Sequence, residues 1–151
     1  MGEPDEALLF RYFNEIGIIS ALASTSFERL LPGGLTLSQF TVLNWFIRVD
    51  TEASPGRLAK AFQVTGGAMT NTLKKLEAKG LILIEPDPHS GRQKRVTLTD
   101  AGKQLREQAI SDAFPLLREL AEALDTNAIR QQLPQLEQVR QYLDESRYQK
   151  P

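Results

Sequence analysis

The chain has 151 residues, 41% of them hydrophobic and 25% charged, which is enough for one domain with a buried core. It contains no cysteine and one histidine, His89, which excludes disulfides, cysteine-ligated metals and thiol sensors and argues against a histidine-built metal site. No apolar run is long enough to span a membrane, and the first residues lack a basic signal-peptide region. We therefore expect a cytoplasmic chain without metal or cofactor.

Positive charge is concentrated in the middle of the chain, although the whole is nearly neutral with 18 basic and 19 acidic side chains. Residues 55–95, which we call the basic block, contain eight lysines and arginines against three acidic residues, a net charge of +5. The remainder of the chain has a net charge of −6. Such asymmetry is typical of a surface that binds a polyanion. Chance clustering on a solvated surface is the alternative explanation.

The first section, residues 4–31, is predicted to be one long helix. Its apolar residues recur at steps of three and four, the spacing of one helix face. The run Pro32-Gly33-Gly34 predicts where this helix ends. The residues of the apolar stripe are Leu8, Tyr12, Ile16, Ile19, Ala23, Phe27 and Leu30.

Three shorter helices are predicted in the middle section. Thr36 and Gln39 have the spacing of a capping box at the start of the first. Ser54 and Pro55 fit the N-cap and first position of the second. A tight connection then leads to the third, which spans residues 65–79. The short connection predicts that the second and third helices cross as a helix–turn–helix.

Two short runs rich in apolar and β-branched residues, 81–84 and 95–98, flank the polar loop 86–94 and predict a β-hairpin. Two further helices are predicted after it. The fold class is therefore mainly α with a small β-hairpin (α+β), arranged as a winged helix-turn-helix flanked by terminal helices.

The helix from residue 65 has the residue pattern of a DNA-reading helix. Met69, Leu73 and Leu76 are spaced to pack inward, and the opposite face is small and polar, then basic. Asn71 can pair with adenine, and the glycines let the backbone approach phosphates. A solvated amphipathic helix with a weak first turn is the alternative. The predicted DNA contacts on this helix are Thr65, Gly66, Gly67, Thr70, Asn71, Lys74 and Lys75.

The loop of the hairpin is predicted to be the wing. Arg92, placed near its tip, is expected to enter a minor groove, where negative potential is concentrated. Lys94 and Arg95 are expected to hold the flanking phosphates. A plain exposed loop with a few charges is the alternative, and His89 in the same loop is expected to be only solvated.

The runs VTGGAMTNTLKKLEAKGLI and DPHSGRQKRVTLTDAG resemble the multiple-antibiotic-resistance regulator (MarR) family, and the resemblance covers nearly the whole chain. The family's recognition helix corresponds to residues 65–79, and its Leu-Thr-x-x-Gly motif after the wing is Leu98-Thr99-Asp100-Ala101-Gly102. Its usual Asp-x-Arg wing tip is replaced by Ser90-Gly91-Arg92. The arginine is retained, but the acidic residue that typically orients it is missing.

This resemblance implies a homodimeric DNA-binding regulator of transcription, most often a repressor, whose affinity for its operator is lowered by an aromatic or anionic small molecule. The residues of a ligand pocket cannot be assigned from the sequence. Two reading helices about one DNA turn apart, roughly 10 base pairs, predict a palindromic site. The partners implied are double-stranded DNA, a second copy of the chain and this small molecule, with no membrane.

The apolar ends of the chain are predicted to pair between two copies. Residues 1–34 and 100–151 then supply dimerisation helices around the DNA-binding residues 35–99, with one intertwined domain overall. A bundle within one chain is the alternative. The predicted interface positions are Leu8, Tyr12, Ile16, Leu136, Val139 and Leu143.

A second class of function is a winged-helix module that binds protein and not DNA. The altered wing and the acidic flanks of the chain allow it, whereas the basic block and the polar face around Thr70 and Asn71 argue against it. An enzyme is not expected. The sequence has no glycine-rich phosphate loop, catalytic carboxylate pair or nucleophile–base motif, and therefore no candidate catalytic residue.

Overall fold

The computed structural model describes residues 2–146, and these form six helices and three short strands. The chain divides into two compact units, Met1–Ala113 and Phe114–Pro151, with the boundary inside the fifth helix. In chain order the elements are α1 Asp5–Glu28, α2 Leu37–Arg48, β1 Glu52–Ala53, α3 Pro55–Phe62, α4 Gly66–Ala78, β2 Ile82–Asp87, β3 Ser90–Leu98, α5 Asp100–Ala123 and α6 Thr126–Ser146.

The predicted starts of α2, α3 and α4 are confirmed, because a hydroxyl side chain caps each helix. Thr36 and Gln39 form both halves of the capping box, each accepting the other's backbone N–H at 3.2 Å. Ser54 accepts from the third residue of α3 at 3.1 Å, and Thr65 does the same for α4. These bonds satisfy backbone donors that a helix leaves unpaired at its start.

The sheet has three antiparallel strands in the order β1–β3–β2, one strand more than the predicted hairpin. β1 is only two residues long and pairs Glu52 with Thr97 and Ala53 with Val96. A two-residue strand has no periodicity of its own, so the sequence at this position resembles a turn. Its pairing partner lies more than forty residues away along the chain.

The hydrophobic core of the first unit lies between α2, α3, α4 and the sheet. The carboxyl end of α1 joins it through Phe27, whose ring meets the ring of Phe40 edge-on at 5.1 Å. This core fixes the orientation of α4 and of the wing relative to each other. Its most deeply buried side chains are Val42, Leu43, Leu58, Leu73, Leu76 and Val96.

Two parts of the chain bury almost nothing. No residue of α1 is buried, and none is buried among residues 114–146 of the second unit. α5 and α6 each contain a proline, Pro115 and Pro134, yet both run on as single helices. Asp125 starts α6 by accepting the backbone N–H groups of Asn127 and Ala128, both at 3.1 Å.

Candidate nucleic-acid interface

α4 presents two chemically different faces. Met69, Leu73 and Leu76 are buried in the core, as their spacing predicts. All seven residues of the predicted reading face are exposed, so α4 offers them to the surroundings of the protein. They are Thr65, Gly66, Gly67, Thr70, Asn71, Lys74 and Lys75.

Gly66 and Gly67 have no packing role inside the molecule. A methyl group built on either would meet nothing within 4 Å. Two glycines in a first helical turn nevertheless cost up to about 2 kcal/mol of helix propensity relative to alanine. The described contacts do not explain the two glycines, which leave the backbone at the start of α4 open to close approach by a ligand.

The loop of the wing is shorter than predicted, because the two strands continue into the range 86–94. Its strands extend to a two-residue turn, Pro88 and His89, where Asp87 Oδ1 accepts the His89 backbone N–H at 2.9 Å. Pro86 pairs with Lys94 and Asp87 with Ser90, so residues 91–93 form a bulge in β3. A bulge bends a strand and redirects its side chains.

Arg92, predicted near the tip of the wing, lies three residues after the turn and inside this bulge, a position that we call the shoulder of the wing. It is exposed, as is Lys94 at the end of the bulge. The prediction treated residues 86–94 as an unpaired loop, whereas strand pairing resumes at Ser90.

Arg57 and Arg95, two cations of the basic block, pair with carboxylates of the same chain. Arg57 forms an ion pair with Asp50 at 2.7 Å and lies over the Trp45 ring, 5.1 Å from its centroid. The hydrogen bond from Arg57 holds the pKa of the Asp50 carboxyl below its ordinary value of 3.8, although desolvation opposes this shift.

Arg95 lies between the carboxylates of Glu85 and Glu52, at 3.4 Å and 3.8 Å, and so ties the three strands together. This pairing argues against the expectation that Arg95 holds a phosphate. Among residues 2–146, the cations of the block that make no ion pair or side-chain hydrogen bond include those of the predicted DNA contacts: Lys74, Lys75, Arg92 and Lys94.

A close joint connects the end of α4 to the start of α5. Thr99 Oγ1 donates to the Gly80 carbonyl at 2.7 Å and accepts the Gly102 N–H at 3.1 Å. A methyl group on Gly102 would overlap the Leu81 carbonyl oxygen, so only glycine permits this approach. The Leu-Thr-x-x-Gly motif marked this joint in the sequence, but its contacts could not be foreseen.

The predicted pairing positions lie on two helices. Leu8 and Leu143 are exposed, and Tyr12, Ile16, Leu136 and Val139 are half-buried. The first three of these positions along the chain belong to α1 and the last three to α6.

Two other kinds of site find no support within residues 2–146. No group of three or more acidic or histidine side chains is placed to hold a metal ion, and no helix is long and apolar enough to cross a membrane.

The helix-turn-helix, the adjoining wing and the exposed polar face of α4 define a winged helix-turn-helix protein of the class that regulates transcription by binding DNA. The sequence profile of the MarR family matches residues 33–93. HTH-type transcriptional repressor Rv2887 of Mycobacterium tuberculosis is 33% identical over 109 residues, which cover 72% of this chain and 76% of that protein. The chain belongs to the MarR family of transcriptional regulators, which are not enzymes.

Other similarities cover different lengths. The HTH-type transcriptional regulator YdgG of Bacillus subtilis is 33% identical over 81 residues, about half of each chain (52% and 53%). The crystal structure of a mutant MarR from E. coli complexed with operator DNA superimposes with a TM-score of 0.65 and 29% identity, covering 87% of this chain and 97% of that one.

Proposed function

We propose that the chain binds an operator DNA through the exposed face of α4 and the shoulder of the wing. The observation that carries this proposal is the distribution of unpaired cations. Arg57 and Arg95 are paired with carboxylates of the same chain, whereas Lys74, Lys75, Arg92 and Lys94 have no ion pair among the described residues. Cations left without internal partners are suited to neutralise phosphates.

Different residues of this surface are suited to different parts of the DNA. Thr70 and Asn71, in the second turn of α4, are suited to reading base edges in the major groove. The capped N-terminus at Thr65 has free backbone N–H groups, and Gly66 and Gly67 leave them open to a phosphate. Arg92 on the wing is suited to a narrow minor groove.

We infer that the functional unit is a homodimer. α1 and the second unit together expose many large apolar side chains without burying one, and a surface of that kind is typical of an interface. Pairing through the two terminal segments, 1–34 and 100–151, leaves residues 35–99 to bind DNA, so two copies recognise a palindrome. The large apolar side chains of these helices that are exposed include Leu8, Leu9, Phe10, Phe13, Ile19, Leu22, Leu117, Leu120, Leu133 and Leu143.

We further propose that binding represses transcription in the cytoplasm and that a small aromatic or anionic molecule releases the DNA. The names of curated relatives support repression, since the M. tuberculosis protein is called a repressor. Release requires a ligand that binds the DNA-incompetent arrangement more tightly than the competent one. A ligand screen by thermal shift, followed by release from the selected duplex, tests this part separately.

The decisive experiment is selection of duplexes from a random-sequence pool by the full chain, followed by affinity measurements over a series of salt concentrations. We expect an enriched palindrome with half-sites about 10 base pairs apart. We also expect affinity to fall steeply with salt, by roughly one logarithmic unit per neutralised phosphate for each tenfold increase.

Lys74→Ala and Lys103→Ala form a matched pair for this experiment, since each removes one exposed lysine. The first variant is expected to flatten the salt dependence and the second, on α5, to leave it unchanged. If no duplex is enriched at low salt, the proposal is wrong, and a winged-helix module that binds protein becomes the better explanation.

A further inference from the structure

The ammonium group of Lys79, the C-cap of α4, is directed into the protein and not towards a DNA ligand. Its Nζ lies 3.1 Å from the Gly34 carbonyl oxygen, 3.4 Å from that of Gly33 and 3.1 Å from Gln39 Oε1. An ammonium group has three hydrogens and no acceptor, so these three oxygens use its whole donor capacity. The sequence nevertheless counts Lys79 in the basic block.

The three acceptors are themselves held in place. Gly33 and Gly34 have φ angles of +65° and +68°, in the left-handed region that favours glycine, and so direct their carbonyls to one point. Gln39 is only 5% exposed, and the same Oε1 accepts the Thr36 N–H that completes the cap of α2. Lys79 therefore joins the end of α4 to the turn after α1 and to the start of α2.

The same end of α4 is held from a second side. The Gly80 carbonyl accepts from Thr99 Oγ1, and the Leu81 carbonyl accepts from the Thr99 N–H at 3.1 Å. The thirteen residues of α4 make a rod of about 20 Å. A tilt of about 10° at the held end would therefore move the other end by about 3.5 Å, which is enough to break a base contact.

We propose that Lys79 is a positioning residue for DNA recognition: it fixes the angle at which α4 presents its reading face and contacts no phosphate. The inference rests on the proposed function, because it assigns Lys79 a role in operator recognition. Its structural half, the engagement of the ammonium group, is measurable without DNA.

The first measurement is the acetylation rate of individual lysines by N-hydroxysuccinimide acetate in the DNA-free protein, followed by peptide mass spectrometry. Lys79 and Lys74 are both exposed residues, so exposure alone predicts similar rates. We expect Lys79 to react more slowly, because its nitrogen must leave three acceptors before it can attack. Equal rates would overturn the proposal, whether or not the chain binds DNA.

The second measurement compares Lys79→Met and Lys74→Met in affinity for the selected duplex and for random-sequence duplex, at a temperature where both variants are folded by circular dichroism. We expect Lys79→Met to lose about tenfold in affinity for the selected duplex, with an unchanged salt slope and a reduced preference over random DNA. Lys74→Met is expected to lower the salt slope by about 0.9.

Two results of the second measurement contradict the proposal. A lowered salt slope for Lys79→Met would make Lys79 a phosphate contact. Unchanged preference for the selected duplex would limit Lys79 to stabilising the fold. If the wild-type chain selects no duplex at all, operator binding fails and the positioning role fails with it, whereas the acetylation rates still show whether Lys79 is held.

Discussion

The winged part of the chain, residues 35–98, and the terminal helices differ in how much of their apolar surface is buried. Residues 35–98 bury side chains from α2, α3, α4 and the sheet in one core. In contrast, α1 and residues 114–146 contain no buried residue, although both are rich in large apolar side chains. The first region therefore has its own hydrophobic core, whereas the second leaves many large apolar side chains exposed, which is typical of an interface.

This difference separates two kinds of mutational effect. A change in the winged part is expected to act through the stability or shape of a single chain. A change in the terminal helices is expected to act through association and to depend on protein concentration.

The largest effect is expected at Gly102, which lies in the first turn of α5 but packs against Leu81 and Leu98 of the winged part. A Cβ there would overlap the Leu81 carbonyl oxygen and lie 2.6 Å from Leu98 Cδ1, so backbone must move. We expect Gly102→Ala to lower the free energy of unfolding by about 3 kcal/mol, measured by urea denaturation. Gly67→Ala, where a methyl group meets nothing, is the control and is expected to stabilise by up to about 1 kcal/mol. Equal effects would show that the joint tolerates a side chain.

A charge introduced on α6 tests the role of the terminal helices in association. Leu143 and Leu83 are similarly exposed, at 49% and 45%, but Leu143 lies on α6 and Leu83 on the wing strand β2. We expect Leu143→Glu to raise the dissociation constant of the proposed dimer about 100-fold, since it would place a carboxylate in an apolar interface. Leu83→Glu is expected to leave association unchanged. Sedimentation that shows a monomer for the wild-type chain would remove the basis of this prediction.

Within the winged part, substitutions of Asn71 and Arg92 are expected to change DNA binding in different ways. Asn71→Ala is expected to reduce discrimination at one base position by about 1–3 kcal/mol and to change the selected sequence there. Arg92→Ala is expected to weaken binding by a similar amount, about 1–3 kcal/mol, chiefly on sites with a narrow, A·T-rich minor groove. Repeated selection with each variant measures both. An unaltered motif for Asn71→Ala would exclude base reading by that side chain.

Local signals in the sequence predicted much of the winged part. Hydroxyl caps at Thr36, Ser54 and Thr65 and the apolar spacing of α4 depend on neighbours within a few residues, so they can be read along the chain. The exposure of the reading face followed from the same periodicity. Its role in binding DNA stays a prediction.

What the sequence could not predict depends on distant partners. β1 exists because Ala53 meets Val96, and Arg92 lies off the tip because β3 begins at Ser90. Likewise, lysine is chemically the same whether its acceptor is a phosphate or the Gly34 carbonyl. Only the three-dimensional structure distinguishes Lys79 from Lys74, which is why the eight basic residues of 55–95 overstate the number of cations available to DNA.

The smallest effect is expected at the exposed ion pair of Asp50 and Arg57 in the winged part. Because the hydrogen bond from Arg57 lowers the pKa of Asp50 in the folded protein, the unfolded chain takes up a proton first as the pH falls. The stabilisation is therefore complete above the ordinary value of 3.8 and is lost as the pH falls through the folded-state pKa. We expect wild type to be slightly more stable than Asp50→Asn near pH 6, and the two to converge in urea unfolding near pH 2. A difference that persists at acid pH would mean that Asp50 acts through hydrogen bonding alone, since protonation would then remove nothing.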